Sequence, residues 1–91
     1  MKALTSTLTA TTETTPFGTL GCIRAGLPVL EVLEQTASLL ECAEATGREA
    51  ASLDAEQGRH LAWASLALLE QARAALNAAV AGLYRQRRES A

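Results

Sequence analysis

Ninety-one residues set a limit of one domain, and a net charge of −2 excludes electrostatic steering toward nucleic acid or an anionic membrane as the principal activity. Hydrophobic residues make up 48% of the chain but aromatics only 3%, so alanine and leucine, both strong helix formers, carry the apolar content. Side chains of that kind fill narrow stripes between closely approaching helices rather than a broad core.

Charge divides unevenly. Residues 1–56 hold eight acids and three bases (−5), and residues 57–91 hold two acids and five bases (+3), summing to −2. Such a division favours an antiparallel hairpin or reciprocal packing between subunits, as a bias that salt screens. Two cysteines, Cys22 and Cys42, form no CxxC pair, and His60 is the single histidine. That set argues against a structural zinc site and predicts two buried, reduced thiols. The residues after Lys2, ALTSTLTATTETT, are too polar for the core of a signal peptide. Charged residues interrupt every long apolar run, so no membrane span is expected and a cytoplasmic setting is.

In chain order, residues 1–15 contain seven threonines and one serine. This composition predicts a flexible arm, with an edge strand as the alternative. From Pro16 to Gly26 the run PFGTLGCIRAG admits a short strand over Leu20–Arg24. Nothing after it resembles a strand. Its partner is therefore expected to be the same segment of another subunit, unless it lies as an extended cover across the helices.

A first helix is predicted over about 28–52. Pro28 suits its first turn, and Glu31 complements the positive end. Leu30, Leu33, Ala37, Leu40, Ala43, Gly47 and Ala50 continue one stripe, so the helix is expected to run through Gly47. A break follows at Leu53-Asp54, where Asp54 caps the next helix and Gln57 completes a capping-box pattern. The second helix is predicted over about 54–88, with Arg85, Arg87 and Arg88 at its negative end. One of its stripes reads Leu61, Ala64, Leu68, Ala72, Ala75, Ala79, Leu83. Beside it runs Ala62, Leu66, Leu69, Leu76, Val80.

These stripes are together wider than one partner helix can cover. The expected fold is thus all-α: a hairpin of two long antiparallel helices over residues 16–91, with a short extended N-terminal segment, dimerising into a four-helix bundle. Leu61, Leu68, Ala72, Ala75, Leu76, Ala79 and Leu83 are the expected dimer interface.

Trp63 lies on the more polar side of the second helix, with Glu56, Arg59 and His60. Either Phe17 and segment 17–23 fold back to cover it, as large apolar residues favour, or Trp63, His60, Arg59 and Phe17 form a partner-binding hot spot. His60 with Glu56 has the i, i+4 spacing of a base and its orienter, but no nucleophile or oxyanion hole accompanies them, so no enzyme and no catalytic residue is expected. Glu31, Glu34, Glu41 and Glu44 lie opposite the apolar stripe with no histidine, which reads as a solvated face without metal or cofactor. Tyr84 and the arginines after it are a weak nucleic-acid signal that helix capping explains.

The run TPFGTLGCIRAGLPVLEVLEQTASLLECAEATG and the later HLAWASLALLEQARAAL resemble a group of short proteins of unknown function common in pseudomonads. The likeness covers about residues 15–80 and rests on Pro16, Phe17, Gly26, Leu33, Ala37, Leu39, Leu40, Ala43, Trp63, Leu69 and Glu70. It implies a bacterial cytoplasmic setting and a helical fold, and it transfers no mechanism. The expected function is a non-enzymatic, homo-oligomeric interaction module with an accessory or regulatory role. The alternatives, both of the kind used in bacterial or phage conflict, are a ligand- or nucleotide-sequestering protein, with ligand between subunits near Arg24, Arg59 and His60, and an antitoxin-like protein whose arm folds on a partner.

Overall fold

A computed structural model describes residues 9–90, the backbone alone at Ser90. Two strands, β1 (Thr15–Phe17) and β2 (Gly21–Ile23), precede two long helices, α1 (Val29–Ser52) and α2 (Ala55–Ser90). The helices pack antiparallel, as their charge halves favour. The Cα trace measures 54 × 27 × 14 Å, which is thin: one layer of two helices and a partial cover.

The helix limits follow from local chemistry. Pro28 precedes the first helical residue with an extended ψ of 126°, since its ring supplies a helix-compatible φ and no N–H is lost. No side chain caps this end. The Val29 N–H instead donates to the Ala10 carbonyl, 3.0 Å away on the N-terminal strap. α1 continues through Gly47 to Ser52, as the stripe predicts. Leu53 is extended and ends it, and the Gln57 N–H donates to Asp54 Oδ1 at 2.8 Å, the expected cap.

The helices meet along small residues. α1 buries Val29, Val32, Thr36 and Ala43, and α2 buries Ala72, Ala75 and Ala79. Thr36 satisfies its hydroxyl on the Val32 carbonyl at 2.8 Å. Farther along, Ser65 Oγ crosses the seam to the Ala43 carbonyl at 2.9 Å. Near the turn, a Cβ on Gly58 would sit 2.6 Å from the Ala50 carbonyl oxygen, so only glycine lets the backbones approach this closely. Among the described residues no leucine is buried; the fully buried side chains are alanines, Val29 and Thr12.

This corrects the expected dimer interface. Ala72, Ala75 and Ala79 are consumed within one chain, facing its own α1 side. Leu83 packs half-buried against the same core, and Leu61 and Leu68 are half-buried. Of that set Leu76 alone is exposed. Small side chains win the intrachain seam because they permit the closer approach, and the bulkier leucines are turned aside.

The N-terminal segment is the second correction. Residues 1–8 of the expected flexible arm lie outside the described residues. From Thr9 onward the arm is a strap built into the fold. Thr12 is fully buried. Its N–H donates to the Leu27 carbonyl (2.8 Å) and its carbonyl accepts from the Gly26 N–H (3.0 Å). Its hydroxyl donates to the Arg24 carbonyl (2.8 Å) and accepts from the Leu27 N–H (3.1 Å). Glu13 N–H donates to the Ala78 carbonyl of α2 at 3.2 Å. The strap crosses α2 at Gly82, where a Cβ would land on the Thr11 carbonyl oxygen. Arg85 then reaches over it, donating to Thr11 Oγ1 at 2.8 Å. Its Nη1 lies 2.8 Å from Glu13 Oε1 but off the N–H axis, so that contact is an ion pair rather than an aligned hydrogen bond.

The strand also finds its partner within the chain. β2 pairs antiparallel with β1, Thr15 opposite Ile23 and Phe17 opposite Gly21, so the expected pairing with another subunit is corrected. The partner precedes β2, hidden in the threonine-rich composition. Both cysteines, expected to be buried, are exposed and free. Cys22 points outward at the middle of β2, and Cys42 lies one residue round α1 from buried Ala43.

Gly82 and Gly47 separate two kinds of helix glycine. Gly82→Ala lowers stability by about 1–3 kcal/mol, because the strap must shift. Gly47→Ala raises it by about 0.5–1 kcal/mol, since its Cβ meets only the rotatable Ser65 hydroxyl at 3.4 Å. Urea denaturation followed by helical circular dichroism measures both.

Candidate interaction surface

The two long faces of the helix layer differ. On one side, towards the N-terminus of α1 and the C-terminus of α2, the strap and the β-hairpin cover Ala74, Ala78 and Gly82, spaced i, i+4, i+8. The other side is open. A groove of about 400 Å³ runs between the helices there, lined by Thr36 and Leu40 of α1 and by Leu66, Leu69, Glu70, Ala72, Arg73 and Leu76 of α2. Leu40, Leu66, Leu69, Leu76 and Val80 are each 40–46% exposed.

Their spacing carries the information. Leu66, Leu69, Arg73, Leu76, Val80, Leu83 and Arg87 recur in alternating steps of three and four, the period of a helix seam that meets other helices. On α1, Leu30, Leu33, Ala37 and Leu40 follow the same steps. The one cation inside the apolar part of the α2 stripe is Arg73. It is exposed and, among the described residues, makes no ion pair or hydrogen bond.

Of the four expected hot-spot residues, three share one exposed stretch of α2 and Phe17 lies apart from them. Trp63 is 65% exposed, with Arg59 and His60 exposed beside it. Phe17 is half-buried elsewhere. Its ring packs over Gly21, and it lies with Pro16 and Gly18 against Glu70, Arg73, Ala74 and Asn77. Trp63 is seven residues before Glu70, about 10 Å along the helix. The reading in which Phe17 and its segment cover Trp63 is therefore wrong, because the β-hairpin stops short. The grouping of Arg24 with Arg59 and His60 is not formed within the chain either. Arg24 precedes α1 and Arg59 opens α2, so the 24-residue α1 separates them, about 36 Å.

Glu31, Glu34, Glu41 and Glu44 are exposed along α1, and among the described residues no three His, Cys, Asp or Glu side chains come together as a metal-binding group. No helix of the described residues is long and apolar enough to cross a membrane.

Sequence reasoning missed Arg85 as the clasp on the strap, reading it only as a helix-end cation. It also placed Ala72, Ala75 and Ala79 in a dimer interface, whereas they are buried within the chain. The signal was present: alanine and glycine fall at 72, 75, 79 and 82, while leucine and valine fall at 66, 69, 76, 80 and 83.

A helical hairpin with a strapped N-terminus and one open apolar face places the chain in the class of small, mostly helical proteins. Within that class the chain belongs to the family described as Protein of unknown function (DUF3077), which it matches over residues 15–82. That span takes in the β-hairpin, α1 and most of α2. Neither a curated protein nor a solved structure matches the chain.

Trp63 is the sole tryptophan, so its fluorescence reports this surface alone. Its emission is expected near that of a solvated indole and freely quenched by acrylamide in the folded protein. Emission shifted to the blue with quenching suppressed would mean that Trp63 is covered.

Proposed function

We propose that the chain is a non-enzymatic, homo-oligomeric helical interaction module, acting in an accessory or regulatory role, in which the open faces of two copies stack into a four-helix bundle. The observation that supports this most is the distribution of apolar bulk. The chain buries alanines and leaves Leu40, Leu66, Leu69 and Leu76 half-exposed on one face. At roughly 0.8 kcal/mol per buried CH₂, the exposed leucines hold stabilisation that the isolated chain does not collect.

The size of the face is consistent with a specific contact. Its length follows α1, about 36 Å, and two helices with axes ~9 Å apart are about 18 Å wide. That gives on the order of 650 Å² per copy, near the ~800 Å² per partner of specific interfaces. The strap lies on the opposite side, and the β-hairpin reaches the open groove only at its rim, beside Glu70 and Arg73. Trp63, Arg59 and His60 lie towards the turn, before the first groove residue Leu66, and are a further exposed patch available to a partner.

The mass in solution tests this, by light scattering coupled to size exclusion over a wide concentration range. Twice the chain mass of 9.6 kDa is expected for the wild type. Leu69→Lys with Leu76→Lys is expected to give a monomer that retains its helical signal. A wild-type monomer at all concentrations sinks the reading.

A further inference from the structure

We infer that Arg73 sets the register of this assembly by pairing across the interface with Glu34 and Glu41 of a second copy; the inference rests on the stacking of open faces proposed above. Two layers can stack face to face about a two-fold axis lying in the interface in two ways. An axis across the helices sets α1 on α1 and α2 on α2. An axis along the helices sets each α1 antiparallel on the α2 of the other copy. The charges choose between them. α1 holds five glutamates and one arginine (−4), whereas α2 holds five arginines and three glutamates (+2). The first arrangement sets −4 on −4, and the second sets −4 on +2. Like charges across an interface are an effective bar to the wrong arrangement.

An axis along the helices also fixes axial height, because such a rotation moves no atom along it. Arg73 shares the groove with Thr36 and Leu40 of its own chain. In the second copy the same turn of α1 therefore stands over Arg73. On its open side that turn presents Ala37, flanked by Glu34 one turn before and Glu41 one turn after, the i, i+3 and i+4 neighbours of one helix face. Alanine leaves room for the guanidinium. The aliphatic stem of Arg73 then lies along the leucines while its head reaches both carboxylates. All three charged side chains are exposed and, among the described residues, without a partner inside their own chain. A lone charge within an apolar helix stripe is a recognised device for fixing register and partner.

The test uses two variants of the full chain, Arg73→Glu and the pair Glu34→Arg with Glu41→Arg. Each is expected to self-associate about 10- to 100-fold more weakly than wild type, with helical content unchanged. Mixed together they are expected to recover wild-type affinity as a heterodimer, because every cross-interface contact is then between opposite charges. A folding defect cannot produce that recovery. If Arg73→Glu associates like wild type, or if mixing restores nothing, the register is wrong while self-association stands. If the wild type itself is monomeric, the underlying reading falls as well.

Discussion

The close approach of two helices along alanine and glycine is the constraint on which the rest of the molecule depends. Gly58 under the Ala50 carbonyl and the Ser65 hydroxyl on the Ala43 carbonyl leave no space for larger side chains between the backbones. A seam of this kind gains dispersion contact from proximity rather than from the volume of each side chain. It also decides where the leucines go. With Ala72, Ala75 and Ala79 turned inward, the helical period of about 100° per residue places Leu69, Leu76 and Val80 on an open flank. The open apolar face is thus a geometric consequence of the core.

The strap answers a second consequence of the same seam. Two helices in contact over small side chains leave their other flanks bare, and at one end the chain uses its own N-terminal segment to cover one. Thr12 makes this possible because its backbone and hydroxyl are all bonded, so a polar residue is buried without an unmet group. The Ala10 carbonyl takes the place of a capping side chain at α1, which explains why an uncapped Leu-Pro helix start is stable here. Arg85, about a third exposed, contributes a modest clasp rather than the main anchorage.

Much of the fold was legible from local chemistry: Pro28 before α1, the passage through Gly47, the break at Leu53 and the Asp54 cap each follow from a propensity or a short-range hydrogen bond. The surfaces were less so. The polar, threonine-rich composition of residues 1–15 reads as a flexible arm, because a polar run gives no sign that another segment will satisfy it. Phe17 and Trp63 were linked by their size alone, though the β-hairpin ends two helical turns short of the tryptophan.

By itself, then, the sequence determined a helical hairpin with acidic and basic halves, a turn at residue 53, and an apolar surface wider than one helix can cover. Those properties are local or additive along the chain. Only the tertiary structure decided which stripe of α2 faces inward, that residues 9–14 pack as a strap, and that β1 supplies β2 with its neighbour. Each of these turns on whether a Cβ or a carbonyl fits between two backbones distant in sequence, as at Gly82 beneath Thr11. Hydrophobic periodicity records how much surface wants burial; steric fit between remote segments selects which part of it is buried.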